Sequence, residues 1–260
     1  MDFATTAKLW DAEPGWLNTA SYGLPPRPAF EELQAVLTQW RHGSTDWKPW
    51  DASVGRSRAA FARLVGAPVT DVSVGSTVSQ IMSVVATALP PGARVVVPEV
   101  EFTSNLFPWA VAAEVVTVPA DRLADAITPG TAAVAFSLVQ SATGEVAPLA
   151  DIVAAARAHD ALVFADGSQA CGWLPVGVEG VDALACAAYK WLMAPRGRRS
   201  RTCRRACASA CARWPPTGTR ARTRAAPTTA RRCGCGTTRG PSTCPRRGSP
   251  SSARLPRWSC

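Results

Sequence analysis

The chain has 260 residues, with 28 Lys and Arg against 19 Asp and Glu and a formal net charge of +9. That length holds one large domain, or one domain plus a further piece, and no run approaches the ~18 uninterrupted apolar residues of a membrane-spanning helix. The charge is divided unevenly: residues 1–197 hold all nineteen acids and only twelve of the bases, a net of −7, whereas residues 198–260 hold sixteen Arg, seven Cys and no Asp, Glu, Lys, Ile, Val, Phe or Tyr.

In chain order, residues 16–23 form a short segment before Pro25-Pro26. Phe30, Leu33, Val36 and Leu37 recur at helical spacing and predict a helix over residues 29–40. A second helix is predicted over residues 51–64, presenting Val54, Ala60, Phe61 and Leu64. Residues 72–74 read as a short strand leading into Gly75-Ser76-Thr77, with a helix over residues 78–89. After Pro90-Pro91-Gly92 come a strand at 94–97, a helix at 104–113, a strand at 114–118 and a short helix at 120–127. Residues 131–139 are an apolar run of strand type, 149–159 are helical, and 161–165 and 183–187 are strands. Short apolar strands alternating with helices predict an α/β domain with a largely parallel sheet. Ligands of such sheets bind at the carboxyl ends of the strands. The polar clusters fall there: Gly75-Ser76-Thr77, Glu101-Phe102-Thr103, Gln140-Ser141 and Asp166-Gly167-Ser168-Gln169. One shared site is therefore expected.

Four features carry chemistry. Asp166 ends the run Leu162-Val163-Phe164-Ala165, and a carboxylate at the mouth of a buried strand calls for a cationic partner. Lys190 is one of three lysines in the chain and lies between Tyr189 and Trp191; apolar surroundings make an amine easier to deprotonate and more nucleophilic. Gly75-Ser76-Thr77 joins a strand to a helix, where free N–H groups and hydroxyls can hold a phosphate. Phe102 can cover a flat ring. Taken singly, each has an ordinary structural reading: a turn or capping Asp, a snorkelling Lys, a Ser/Thr helix cap, a core Phe. Taken together they match the needs of pyridoxal phosphate, which uses a lysine, an acid for the ring nitrogen, an anion cradle and a stacking face.

The order of cradle, aromatic, acid, and a lysine 24 residues after the acid resembles the class-V aminotransferase group of pyridoxal-phosphate enzymes. That group includes cysteine desulfurases, kynureninase-like and isopenicillin-epimerase-like proteins. The resemblance rests on residues 16–23 (WLNTASYG), VGSTVS from Val74, EFTSNLFPW from Glu101, SATG from Ser141, and above all ADGSQACG from Ala165 and AYKWLMAPRG from Ala188. It implies the fold type I large domain, with a mostly parallel, mixed central sheet and flanking helices, and it implies pyridoxal 5′-phosphate as cofactor. Lys190 would carry the cofactor as a Schiff base and move the α-proton. Asp166 would keep the pyridine nitrogen protonated, Gln169 would bond the phenolic oxygen, Ser76 and Thr77 would bind the phosphate, and Phe102 would stack on the ring. Ser141 stands where many relatives have Asn near the phenolic oxygen. Ala187 and Tyr189 stand where many desulfurases have Ser and His, so one phosphate contact is lost and Tyr189 would replace an imidazole. Phe102 replaces the desulfurase His, which argues against desulfurase activity of the usual kind. The substrate implied is an amino acid, attacked at Cα or Cβ in a lyase, desulfurase, transaminase or epimerase reaction. A homodimer is implied for full-length members. The smaller C-terminal domain of the family, which supplies the Arg for the substrate carboxylate, is expected to be missing, leaving apolar surface exposed.

Residues 198–260 admit three readings. Sixteen Arg could serve as a nucleic-acid arm, or the segment could be a disordered extension. The third reading is a GC-rich gene translated in the wrong frame after about residue 197. Shifting the reading frame there permits runs such as RLRERLRPLAANWYAGEDP, which restore acids, aromatics and helical periodicity together and look like the same family. The frameshift is the favoured reading, with an inactive truncated product as its consequence and nucleic acid not expected as a partner. Cys171 and Cys186 are the only cysteines before residue 198, as suits a reducing cytoplasm. No secretory signal is read at Met1-Asp2-Phe3. No metal site is expected: Cys233 and Cys235 are too closely spaced and residues 198–260 contain no His.

Overall fold

The computed structural model describes residues 2–196 and 199–203, all within one compact unit spanning Met1–Pro216. Its centre is a seven-stranded sheet made of β1 (Val72–Gly75), β2 (Arg94–Pro98), β3 (Glu114–Val118), β4 (Thr131–Ser137), β5 (Leu162–Asp166), β6 (Ala183–Ala187) and β7 (Arg199–Cys203). The strand order is β1-β7-β6-β5-β4-β2-β3. Strand β7 runs antiparallel to both neighbours, and every other pair is parallel. The helices are α1 (Phe3–Ala7), α2 (Arg27–Arg41), α3 (Trp47–Val65), α4 (Val78–Ala86), α5 (Thr103–Ala112) and α6 (Leu149–Ala158).

The period of two along each strand separates two apolar layers. Val96, Val134, Phe136, Val163, Ala165, Leu184 and Cys186 pack with Phe61 and Val65 of α3 and with Ile152 and Ala156 of α6. On the opposite face, Val95, Val97, Ala133, Ala135, Phe164, Ala183, Ala185 and Ala187 pack with Val78, Ile81, Met82 and Val85 of α4 and with Trp109 of α5. Trp109 stacks on Phe164 with ring centroids 4.9 Å apart, and both are fully buried. The strands buried on both faces read as continuous apolar runs, as parallel strands under helices should.

Local signals set the helix ends. Asp46 caps α3 by accepting the Lys48 N–H at 3.1 Å, and Gly66 closes it with a left-handed φ of 69°. Helix α4 stops at Ala86, short of the expected residue 89. Its last carbonyls bond three residues on, to the Ala88 and Leu89 N–H groups, as the chain tightens ahead of Pro90. Residues 120–127 form a 3-10 turn at Ala120–Arg122 and further turns in place of a helix, because a short piece between Pro119 and Pro129 cannot offset the cost of helix nucleation. Helix α2 buries none of its residues, and Phe30, Leu33, Leu37 and Trp40 stand exposed along it.

The last described strand, β7, lies beyond residue 197. Strand β7 fills the slot between β1 and β6, where strand pairing depends on backbone N–H and C=O groups that any non-proline residue supplies. The remainder of the Arg-rich segment, from residue 204, lies outside the described residues. Among the described residues no helix is long and apolar enough to cross a membrane, and no cluster of His, Cys, Asp or Glu could hold a metal.

Candidate active site

Asp166 is the last residue of β5 and shares the α4/α5 face of the sheet with Phe164, two residues earlier. Its carboxylate is buried, and Oδ1 accepts the Ser168 N–H at 2.8 Å. Ser168 Oγ in turn accepts the Ala187 N–H at 2.8 Å, tying the loop after β5 to the end of β6. From Ala187 the chain turns sharply: the Met193 N–H reaches the Lys190 carbonyl and the Ala194 N–H the Ala188 carbonyl, both at 3.0 Å. Met193 takes a positive φ of 54°, a strained choice for a residue with a side chain. This turn sends Lys190 into the fold, where it is 8% exposed, with Nζ 5.4 Å from the centroid of the Phe102 ring.

Lys190 and Asp166 line the same open cleft of about 320 Å³, together with Phe102, Ser141, Gln169 and Tyr189. Gln169 is held from three sides. Its Nε2 donates to the Ala20 carbonyl at 3.1 Å and to Ser141 Oγ at 3.2 Å, and its Oε1 accepts the Trp191 indole N–H at 2.8 Å. Tyr189 packs against Tyr22 with centroids 5.3 Å apart, and the Arg196 guanidinium lies over both rings while donating to the Tyr22 hydroxyl. Gly23 completes the seam, its N–H donating to the Tyr189 carbonyl at 2.9 Å. The segment at residues 16–24 is thus fastened to the lysine loop.

Six of the eight residues singled out in the sequence therefore meet in one cleft. Ser76 and Thr77 are placed at the turn from β1 to α4, outside the residues lining it. Thr77 Oγ1 caps α4 by accepting the Gln80 N–H at 2.9 Å, and the Ser76 N–H donates to Gln80 Oε1 at 2.9 Å. Ser104, Ser137 and Ser168 also line the cleft and were not foreseen as site residues. Nor was Glu101, which is 7% exposed just before Phe102. Burial raises its pKa above the ordinary carboxylate value of 4.5, the hydrogen bonds from Ser137 and Phe102 oppose that rise, and the nearby Asp166 charge adds to it. Its position in a polar cluster at a strand end was the available signal.

An amine, a carboxylate, an aromatic ring and an amide converge on one cleft at the carboxyl ends of parallel strands. That donor set fits a pyridoxal ring, and with this sheet it defines the large domain of a fold type I pyridoxal-phosphate enzyme. A family model for class-V aminotransferases matches residues 47–231, and the chain belongs to that family, whose cofactor is pyridoxal 5′-phosphate. The chain is 28% identical over 204 residues to an isopenicillin N epimerase of Streptomyces clavuligerus, covering 70% of this chain and 51% of that protein. It is 36% identical over 151 residues to a probable cysteine desulfurase of Aeropyrum pernix, covering 50% and 37%, and 30% identical over 230 residues to a kynureninase of Xanthomonas oryzae, covering 72% and 52%. The chain spans about half the length, or less, of these curated relatives. Among solved structures, the cysteine desulfurase CsdA of Escherichia coli matches with a TM-score of 0.69 at 23% identity, over 81% of this chain and 60% of that one, a likeness of fold.

Proposed function

We propose that the chain binds pyridoxal 5′-phosphate in this cleft and acts on an amino acid at Cα or Cβ. Lys190 is the point of covalent attachment and the base that moves the α-proton. Asp166 holds the proton on the ring nitrogen, Phe102 covers one ring face, Gln169 and Ser141 bond the phenolic oxygen, and Tyr189 lines the wall beside Lys190. Ser76 and Thr77, at the N-terminus of α4, hold the phosphate. The cofactor supplies the electron sink for a carbanion at Cα; the protein supplies binding, orientation and proton transfer. The observation that carries this reading is that Lys190 and Asp166, 24 residues apart in sequence, line one cleft beneath Phe102. A homodimer working in the cytoplasm fits the same reading.

The test is borohydride trapping. The full chain mixed with pyridoxal phosphate, reduced and digested, should carry the label on Lys190 and leave Lys8 and Lys48 unmodified. Lys190→Ala should lose both the label and the visible absorbance band. Label spread over Lys8 and Lys48 alone would overturn the assignment.

The composition break after residue 197 favours a second reading, in which residues 198–260 arise from a shifted frame and the product is inactive. Sequencing the locus across codon 197 decides it. A coding DNA with no family-like continuation in another frame removes the frameshift.

A further inference from the structure

Among the described residues, Glu101 is the one buried carboxylate beside the cleft to which the proposed chemistry gives no task. It lies in the turn between β2 and α5, and its two oxygens accept three hydrogen bonds. Oε1 takes the Phe102 N–H at 2.7 Å and the Ser137 Oγ–H at 2.5 Å, and Oε2 takes the Ser137 N–H at 2.6 Å. Ser137 ends β4 and pairs in register with Asp166 at the end of β5. One side chain thus ties the start of α5 to the strand beside Asp166, and both residues it grips, Phe102 and Ser137, line the cleft. A second anchor holds α5 from below: Asn105 Oδ1 accepts the Trp109 indole N–H at 3.3 Å, and Trp109 stacks on Phe164. That anchor fixes the body of the helix. The Phe102 carbonyl accepts the Asn105 and Leu106 N–H groups of the helix at 2.9 and 3.0 Å, while the Phe102 N–H is left to Glu101.

We propose that Glu101 is a positioning residue that clamps Phe102 over the ring site by bridging it to Ser137. The inference rests on the cofactor reading above and assigns a role to a residue outside that reading. Three donors converge on Glu101, so an acceptor-only carboxylate suits the place and an amide does not. In Glu101→Gln the amide nitrogen meets a donor whichever way it is turned, and at least one bond is lost.

The experiment compares wild type, Glu101→Gln and Ser137→Ala as full chains by three measurements. These are amide hydrogen exchange at Phe102 and Ser137, pyridoxal-phosphate affinity, and visible circular dichroism of the bound cofactor, which reports its asymmetric seating. Glu101→Gln should expose both amides, weaken binding about tenfold and diminish the dichroic band. Ser137→Ala, which removes only the hydroxyl donor and keeps the backbone bond, should weaken binding about threefold with the fold intact. Affinity and dichroism unchanged in both variants overturn the clamp, even if the amides exchange faster. If Glu101→Gln fails to fold, Ser137→Ala alone decides, and unchanged affinity there overturns the proposal. A wild-type chain that takes up no pyridoxal phosphate sinks the functional reading itself. A wild type that binds, with variants that bind equally well, sinks only the clamp.

Discussion

Gly23→Ala tests whether the N-terminal segment belongs to the site. A Cβ built on Gly23 would sit 2.0 Å from the Lys190 carbonyl oxygen and 3.0 Å from both Cα and Cγ of Met193. The nearest of these is backbone and cannot swing aside, so the segment must retreat by roughly 1.4 Å to restore normal contact distances. That retreat strains the Gly23 N–H bond to the Tyr189 carbonyl and the Gln169 bond to the Ala20 carbonyl. Overpacking of this kind costs about 1–3 kcal/mol, and each weakened hydrogen bond adds about 1 kcal/mol. A total loss of about 3–5 kcal/mol is expected in urea unfolding, with weaker pyridoxal-phosphate binding because Gln169 and Tyr189 lose their backing. Gly177→Ala is the control: nothing lies within 4 Å of a Cβ there, so its change should stay within about 0.5 kcal/mol. Equal stability and equal cofactor affinity in the two variants would refute the seam between residues 16–24 and the lysine loop.

Phe164→Ala removes a fully buried ring stacked on Trp109 and should cost about 3–5 kcal/mol in chemical unfolding; a loss below about 1 kcal/mol would mean the α4/α5 layer is loosely packed. Thr77→Ala deletes the cap of α4 and should cost about 1 kcal/mol. If Thr77 also binds phosphate, the variant's affinity for pyridoxal phosphate should fall further than its affinity for pyridoxal, and equal losses would leave Thr77 as a cap alone. Glu101 carries a signed pH dependence. Its folded pKa is raised by burial, with Asp166 adding to the rise, so the native state binds this proton more tightly than the unfolded chain does. Its contribution therefore falls as pH rises from the ordinary value of 4.5 through the raised folded value, and acidification across that window should stabilise wild type relative to Glu101→Gln. A wild-type-to-variant difference in urea midpoint that stays flat with pH would count against it.

Most elements were legible because their signals are local. The strand at 114–118 and the strand at 183–187 match the structure residue for residue, since short apolar β-branched or small-residue runs between turns leave little choice. Lys190, Asp166 and Phe102 were legible as chemistry-bearing groups near strand ends, whereas Gln169, Ser141 and Tyr189 were marked by the family resemblance; the structure lines one cleft with all six. Residues 120–127 were misread as a helix because Leu123 and Ile127, four apart and both buried, imitate a helical face across a stretch too short to be one.

Other features carry no local mark. Residues 16–23 carry part of the family resemblance, but nothing in them announces that the Ala20 carbonyl will meet Gln169, 149 residues later, or that Gly23 will pack against the Lys190 carbonyl. Glu101 is marked in the sequence only as part of a polar cluster at a strand end, and its burial under three donors follows only once β4 lies beside it. Backbone periodicity is settled between neighbours along the chain, so sequence alone determined the strands, most of the helices and the kinds of groups the site would use. Which of those groups face one another depends on sheet order, register and close packing between distant segments, and only the tertiary structure decided that.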